Sequence, residues 1–435
     1  METRLYGAAS PSELYGFRWF STSVRSGAER SLDRTDYYEL SVSLSSIYIR
    51  CMATRATGLN SSVLTWAREE LGLSLADVAE AIGRPAHVIT AWEAGEEHPT
   101  WNQLESLAKL FRRPVAVFFF PEPPTEIRAE SEFRTVINLH SDDLEPDTRL
   151  AVREGRAWQQ SLRELAGPSN PASRFILRDV VMPVDVNVAG QASLVREYVG
   201  VPLAQQQRWR NTTSAFKQWR AAVEDVGVFV FKRSFNQDSI SGFCLHDPQF
   251  PVIVINNSTS HARQIFTLFH ELAHVLFRVS GITYEADTRG NPAVTPLERA
   301  CDNFAHEFLV PTQGFDWNYV RTSRDIVGAI ESMANHYKVS RLVILRKIHD
   351  HGDIPTTVYR ELNERFTAEY LARRAGEATG GSYYANQATY LGDAYLTLAF
   401  DQLHRGRVTV PELADHLAIK ARNLGKLEDF ILARK

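Results

Sequence analysis

The stretch Phe266-Thr267-Leu268-Phe269-His270-Glu271-Leu272-Ala273-His274-Val275-Leu276-Phe277 decides how the rest of the chain is interpreted. The four-residue spacing places His270 and His274 one turn apart on a helix, so both imidazoles point the same way. Two histidines in this arrangement provide half of a tetrahedral zinc site, and Glu271 beside them can take a proton from a metal-bound water. A buried helix with two hydrogen-bonded histidines is the alternative that this stretch leaves open.

A second helical segment, residues 297–311, offers a third metal ligand. Its apolar positions recur at helical spacing; they are Ala300, Cys301, Phe304, Ala305, Phe308 and Leu309. If this helix packs across the first, Glu298 reaches the metal. The site would then hold two histidines, one carboxylate and one open position for water.

The two segments together resemble the ImmA/IrrE family of metallopeptidases, whose pattern is an HExxH helix followed by ExxANxFAxxLLxP. Glu298 matches the liganding Glu, residues 304–305 match the F-A pair, and residues 309–311 match the closing L-x-P. Cys301 and Asp302 stand where Ala-Asn is usual, a departure that need not touch ligation.

The resemblance supports a zincin-like metallopeptidase domain that binds one zinc ion per chain. The metal ligands would be His270, His274 and Glu298, and Glu271 would be the catalytic base. We therefore predict an α+β fold that is mostly helical. It comprises an N-terminal all-α helix-turn-helix domain, then the peptidase domain with a small antiparallel sheet, and a helical C-terminal region.

Length and composition limit the number of domains and the classes of protein to which this chain can belong. A chain of 435 residues can hold two or three domains, and a net charge of -4 gives no global basic signal for nucleic acid. The three cysteines have no CxxC spacing, which fits free thiols in a reducing compartment. No signal peptide is recognisable, and the longest apolar run, residues 115–120, is too short to span a bilayer. We expect a cytoplasmic protein without a membrane partner.

Shifts in composition and periodicity predict the domain boundaries. Residues 1–51 lack clear periodicity, and we interpret them as disordered or as an extension upstream of a true start at Met52. The following segments are a helix-turn-helix domain at 52–113, a linker and helix at 114–185, the metallopeptidase domain at 186–350, and the helical C-terminal region at 351–435.

The helix-turn-helix domain at 52–113 consists of short helices whose ends are marked by capping and helix-breaking residues. Ser74 is suited to cap a helix that Gly83 ends, and Pro85 fits the first turn of the next helix. Helix, tight turn, helix at this size predicts a helix-turn-helix module. The segment resembles the Xre/Cro-type repressor domain, with residues 92–95 standing at that family's (aromatic or aliphatic)-E-x-G position.

The sequence of this module leaves two roles open, DNA binding and protein docking or structural support. The second helix of such a pair enters the major groove, where Arg84, His87 and Thr90 are the candidates to reach base edges. Between residues 61 and 124, however, five Lys and Arg stand against nine Asp and Glu, and phosphate neutralisation needs basic groups. Double-stranded DNA therefore remains one candidate partner, and a protein-docking or structural role remains the alternative.

Three β-rich runs precede the proposed zinc helix, at residues 228–231, 240–245 and 251–256. They predict a small antiparallel sheet, and a sheet edge beside a metal can pair with an extended substrate. Asn256 could orient such a substrate, or it could cap a turn. Farther along, residues 326–348 form a second helix-turn-helix-like unit. In the ImmA/IrrE family such a unit usually packs against the peptidase core, and we expect that role here rather than a second DNA reader.

These patterns favour a zinc-dependent endopeptidase and regulator. The family resemblance implies a protein substrate, a repressor or antitoxin, whose cleavage controls stress, mobile-element or toxin–antitoxin genes. The alternative is a DNA-binding regulator or antitoxin whose peptidase-like domain is a non-catalytic sensor or scaffold. Intact motifs can also be latent until a partner or ligand opens the site. A homodimer is compatible with either interpretation.

Overall fold

The computed structural model describes residues 54–126, 133, 144–182, 188–237, 239–284, 295–374 and 382–434. The interpretation of residues 1–51 as an extension lies outside them. Helices dominate, as predicted, and one four-stranded sheet lies among them. None of the helices within the described ranges combines the length and the apolar character needed to cross a membrane.

A small helical bundle forms the N-terminal part. Its helices are α1 Ser61–Glu70, α2 Leu75–Ile82, α3 Ala86–Glu93 and α4 Trp101–Leu110, followed by the 3₁₀ helix Val115–Phe119. Ser74 caps α2 in a reciprocal capping box with Asp77, and Gly83 ends it in the left-handed region at φ 66°. Trp92 and Leu104 lie at the centre of the bundle. The predicted helix-turn-helix fold is confirmed.

A long helix, α5 Pro146–Ala166, connects the bundle to the sheet. Near its start, Leu150 packs into the core of the bundle. Farther along, the ring of Trp158 stacks on Phe231 of the sheet with centroids 4.4 Å apart. One helix thus takes part in both hydrophobic cores.

Four helices follow α5 along the chain before the sheet begins. They are α6 Ile176–Asp179, α7 Val188–Val199, α8 Leu203–Arg208 and α9 Thr212–Asp225. Asn211 caps α9 in a capping box with Ser214. Trp219 on α9 is completely buried and packs its ring edge-to-face against Phe269.

The sheet has the strand order β1-β3-β2-β4. Its strands are β1 Phe229–Arg233, β2 Ile240–Leu245, β3 Val252–Asn256 and β4 Gly281–Tyr284. β2 pairs antiparallel with both β3 and β4, whereas β1 pairs parallel with β3. The predicted antiparallel sheet is therefore corrected to a mixed one. The chain reverses direction after β1 and again after β2, and β3 then enters between them, alongside β1.

Each face of the sheet is covered by helices, and the strand residues alternate between two cores. Phe231 and Val254 face α5 and the C-terminal helices. Val230 and Ile255 face the helices on the other side, which include α10 His261–Leu276 and α11 Pro296–Leu309. Almost complete burial of β1, β2 and β3 explains why their sequences read as apolar runs.

The second helix-turn-helix-like unit packs into the core that contains α10. After the short helix α12 Trp317–Thr322, it consists of α13 Ile326–Tyr337 and α14 Arg341–Asp350, with Ser340 capping α14. Ile330 and Ile344 are fully buried in that core. The expected packing against the peptidase region is confirmed.

The C-terminal region is helical and covers the sheet. Its elements are α15 Thr356–Arg374, α16 Tyr383–Leu391, α17 Asp393–His404, α18 Val410–His416, the 3₁₀ helix Ala421–Asn423 and α19 Leu424–Leu432. Tyr395 on α17 is completely buried, and its ring packs edge-to-face against Phe231. Leu427 on α19 joins the same core.

Candidate metal centre

Helix α10 places both histidines of the candidate site. Ser260 caps the helix, its hydroxyl accepting a hydrogen bond from the Arg263 backbone N–H. From the middle of the helix onward nearly every residue is buried, including His270 and His274. Their Nε2 atoms are 3.1 Å apart. The one-turn spacing has therefore turned both rings toward a common point, as the sequence predicted.

Helix α11 crosses α10 and brings the carboxylate. Thr295 caps α11 and Pro296 occupies its first turn, which leaves Glu298 in that turn with its side chain directed at α10. One carboxylate oxygen lies 3.2 Å from His270 Nε2 and the other lies 3.2 Å from His274 Nε2. Glu298 thus contacts both rings at once.

The donor set fits a divalent metal ion. One nitrogen from each of His270 and His274 and one Glu298 oxygen lie within 4.8 Å of one another, the one such group of three that the described residues contain. Two imidazoles and a carboxylate are a zinc ligand set that leaves a fourth position for water. Glu298 Oε1 is buried and lies 3.2 Å from His274 Nε2. A metal ion would be held by both atoms.

The charges of the site favour the same conclusion. Burial disfavours the charged form of His270, but its hydrogen bonds to Asp302 and Glu298 outweigh burial and raise its pKa well above the usual value. Burial would likewise raise the pKa of Glu298, but hydrogen bonds from His270 and His274 lower it to about 2. The hydrogen bonds to Glu298 that contribute to these shifts join the three side chains that would hold a metal cation.

Glu271, the predicted catalytic base, is completely buried beside the histidines. The Thr283 hydroxyl of β4 donates a short hydrogen bond to Glu271 Oε1, whereas Oε2 is buried with no hydrogen-bond partner in the described ranges. Burial and the negative charge of Glu271 raise the pKa of Cys244 well above its usual value, so this thiol stays protonated. The Thr283 hydroxyl thus fixes the base through one of its two oxygens.

Asp302 belongs to the site although sequence reasoning did not assign it a role. Its Oδ1 lies 3.0 Å from His270 Nδ1, and its Oδ2 lies 3.0 Å from Arg346 Nη1 on α14. The signal was present, since Asp302 follows Glu298 by four residues on one helix and so shares its face. Asp302 stands where the family pattern has Asn. The three candidate ligands are unaffected by this difference, and Asp302 contacts one of them, His270.

Asn256 lies at the end of β3 and its amide is fully engaged within the chain. The Nδ2 group donates to the carbonyls of Phe235 and Ile240 at 3.1 and 3.0 Å. Its Oδ1 accepts from the backbone N–H and the hydroxyl of Ser258 at 3.1 and 2.7 Å. This is the turn-capping arrangement, and it leaves no amide group for a substrate.

The three candidate DNA-reading residues share one surface of the helix-turn-helix domain. Arg84 lies in the turn before α3, His87 and Thr90 lie on α3, and all three side chains are exposed. Behind them, the Arg68 guanidinium makes two hydrogen bonds to Glu93, at 2.7 and 2.9 Å, which fix α1 against α3. The placement suits groove contact, but DNA readout by these residues remains a prediction.

Two parts of the chain match models of known protein families. Residues 223–349 match the model of the IrrE N-terminal-like domain, a peptidase family, and residues 62–117 match that of a helix-turn-helix domain. No curated protein and no solved structure gives a significant match. The first match spans the sheet, α10, α11 and α14, and therefore every residue of the candidate metal centre. The chain thus joins a helix-turn-helix domain to an IrrE-like peptidase domain, a combination that supports a regulator.

Proposed function

We propose that this protein is a zinc-dependent endopeptidase and regulator, cytoplasmic, with one zinc ion per chain. The observation that carries the proposal is the convergence of His270 Nε2, His274 Nε2 and the Glu298 carboxylate, with Glu271 on the same helix as the two histidines. Two imidazoles, a carboxylate and an adjacent glutamate are the parts that metal-assisted hydrolysis of a peptide bond requires.

The residues of the site would have two roles, metal binding and proton transfer. A zinc ion held by the three ligands would polarise the scissile carbonyl and lower the pKa of a water molecule. Glu271 would accept the proton of that water through Oε2 and pass it to the leaving amine. Thr283 would hold the carboxylate through Oε1 during both transfers.

A repressor or antitoxin is the proposed substrate. A helix-turn-helix domain in the same chain would allow the peptidase to meet its substrate at the genes that the substrate controls, by contact with double-stranded DNA or with the substrate itself. Cleavage would then control transcription in a stress, mobile-element or toxin–antitoxin response.

The first test is elemental analysis of the full chain purified without added metal, with the variant Glu298→Ala alongside. We expect about one zinc per wild-type chain and a sharp loss in the variant. Glu361→Ala, which removes an exposed glutamate of α15, is the control and should keep its zinc. Well-folded wild-type protein that takes up no zinc, even when zinc is supplied, would contradict the proposal.

A second candidate function is a DNA-binding regulator or antitoxin whose peptidase-like domain senses or scaffolds without turnover. Burial favours it, since His270 is 1% exposed and His274 and Glu271 are 0% exposed. Glu271→Gln distinguishes the two functions. An enzyme would keep its zinc and fold and lose cleavage of its protein substrate, whereas a scaffold would keep its regulatory activity unchanged.

A further inference from the structure

Helix α14 is joined to the candidate metal centre through Arg346. The contacts run from His270 Nδ1 to Asp302 Oδ1 at 3.0 Å, and from Asp302 Oδ2 to Arg346 Nη1 at 3.0 Å. The Asp302 side chain is 7% exposed and that of Arg346 is 12% exposed. A ligand histidine, a carboxylate and a guanidinium therefore form one nearly buried line from α10 through α11 to α14.

This line determines which ring nitrogen of His270 can bind a metal. When Nδ1–H is donated to Asp302, the lone pair stays on Nε2, the atom that faces Glu298 and His274. A buried carboxylate needs a partner of opposite charge, because an uncompensated charge in the interior is costly. Arg346 supplies that charge and holds the second oxygen of Asp302.

The two histidines are held by different means. His274 Nδ1 is buried and has no hydrogen-bond partner in the described part of the chain, and its ring lies against the backbone of Gly281. On its Nδ1 side, His274 is therefore positioned by packing rather than by a hydrogen bond. His270, in contrast, is oriented by a hydrogen bond whose acceptor depends on a residue of the second helix-turn-helix-like unit.

We propose that Asp302 and Arg346 are positioning residues for the metal centre, so that the packing of α14 on α11 sets the metal affinity. The inference rests on the proposed zinc site and adds a coupling to it: a change in the position of α14 would alter how firmly His270 holds the metal. The unit formed by α13 and α14 is then part of the metal site rather than only a support for the core.

The chain contains a matched control for this proposal. Lys347, next to Arg346, also joins α14 to α11 through a carboxylate, with its Nζ 2.6 Å from Glu307 Oε2. Its side chain is 8% exposed, comparable to that of Arg346. Glu307 is half-buried and lies more than two turns beyond Glu298 on α11, away from the ligand atoms. Removal of either cation costs α14 one ion pair with α11, but of the two carboxylates only the partner of Arg346, Asp302, contacts a ligand histidine.

The experiment measures zinc affinity of the full chain by competition with a chromophoric chelator, for wild type, Arg346→Met, Lys347→Met and Asp302→Ala. We expect Arg346→Met and Asp302→Ala to weaken zinc binding by about 10- to 100-fold, the usual cost of losing a partner of a ligand histidine. Lys347→Met should bind zinc as wild type does. The double variant Asp302→Ala/Arg346→Met should bind zinc no more weakly than Asp302→Ala does, because both changes interrupt the same line of contacts to His270.

Two further measurements separate positioning from general destabilisation. Thermal unfolding of the metal-free proteins should show that Arg346→Met and Lys347→Met lose comparable stability. The visible absorption bands of the cobalt-substituted protein should change in Arg346→Met and not in Lys347→Met, because they report ligand geometry. If Arg346→Met does not fold, Arg346→Lys, which keeps the charge, should lose zinc affinity to a smaller extent and show the same spectral change.

Zinc affinity equal in wild type and Arg346→Met, or reduced equally in Arg346→Met and Lys347→Met, would overturn the inference and leave the proposed zinc site in place. Wild-type protein that binds no metal would overturn both.

Discussion

The imidazole of His274 occupies the space that a Cβ atom on Gly281, in the neighbouring strand β4, would need. A Cβ atom built on Gly281 would lie 2.5 Å from His274 Cδ2 and 2.9 Å from Nδ1, well inside van der Waals contact. Real side chains essentially never approach so closely. Residue 281 therefore has to be glycine for the second histidine to keep its orientation, although nothing in the local sequence around Gly281 indicates a role in the site.

The variant Gly281→Ala should damage metal binding through His274. The added methyl group must push the ring or the strand aside, and such overpacking costs about 1–3 kcal/mol of stability. We expect zinc affinity, measured by chelator competition, to fall by at least about tenfold, as for other disturbances next to a ligand.

Gly425→Ala is the control for this prediction. Gly425 lies exposed in α19, and a Cβ there meets nothing within 4 Å. This variant should keep full zinc affinity, and its free energy of unfolding should rise by at most about 1 kcal/mol. Equal zinc affinity in Gly281→Ala and wild type would show that His274 is not held by this contact.

Thr283→Val should leave Glu271 without its hydroxyl donor. The change preserves volume but removes the hydrogen bond to Glu271 Oε1, so that a buried carboxylate loses a partner. We expect the metal-free protein to lose about 1–3 kcal/mol of unfolding free energy, measured by urea denaturation. The zinc content should not change, since Glu271 is not among the three proposed ligands.

Thr283→Ser tests the same contact by removing the methyl group of Thr283 instead of its hydroxyl. Serine keeps the hydroxyl and loses only a methyl group, so most of the stability should return. A Thr283→Ser variant as unstable as Thr283→Val would assign the loss to packing of the methyl group instead of the hydrogen bond to Glu271.

Local patterns in the sequence predicted much of the site. The one-turn spacing of His270 and His274 brings both Nε2 atoms to one point, and a second amphipathic helix brings Glu298 to them. The helix-turn-helix fold followed from cap residues such as Ser74 and from the stop at Gly83. In each case neighbours within a few positions on a single helix carry the information.

Contacts between distant segments could not be predicted in the same way. Thr283 meets Glu271 from another element, and Arg346 reaches Asp302 across 44 residues. The parallel pairing of β1 with β3 was missed because apolar runs determine that strands form and not the order in which they pair. The burial of Lys232, in β1, was not predicted for a related reason. A lysine within a strand gives no sign in the sequence that helix α9 will cover it.

Lys232 makes the stability of the protein depend on pH in a defined direction. Its side chain is 3% exposed and its ammonium lies 4.1 Å from the centre of the Phe216 ring. Burial, helped by the charge of Arg220, lowers the pKa of Lys232 to about 7. Between about pH 7 and the ordinary lysine pKa of about 10.4, the unfolded chain thus binds more protons than the folded one. The contribution of Lys232 to unfolding free energy should rise with pH across this window.

Lys232→Met should remove this dependence. Below about pH 7 the buried charge costs the wild type on the order of 3–5 kcal/mol, so the variant should be more stable there, and the difference should shrink toward pH 10. The nearby His261, whose pKa burial and Lys232 lower to about 4, is neutral throughout this window. The measurement is urea denaturation at several pH values.

Exposed Lys217, on α9, provides the control Lys217→Met, for which we expect no pH-dependent difference from wild type. A stability difference between Lys232→Met and wild type that stays constant from pH 7 to pH 10 would refute the depressed pKa of Lys232.

Arg84 is the residue on which DNA binding by the helix-turn-helix domain should depend most. It is the one arginine or lysine among the three candidate readers, and the module around it has more acidic than basic residues. Arg84→Ala should therefore weaken binding by about 1–3 kcal/mol, or about 5- to 150-fold, and reduce the salt dependence of the affinity by about one ion. The ligand for this measurement is a duplex enriched by the full-length protein from a randomised pool.

Arg373→Ala removes an arginine that is 72% exposed on α15, outside the helix-turn-helix domain, and should bind the enriched duplex as wild type does. Equal losses in the two variants would indicate binding through overall charge rather than through the groove-facing surface. If no duplex is enriched and binding shows no dependence on salt, the surface formed by Arg84, His87 and Thr90 does not read DNA. The protein-docking role would then explain its exposure, because an acidic module without phosphate contacts has no electrostatic reason to approach a duplex.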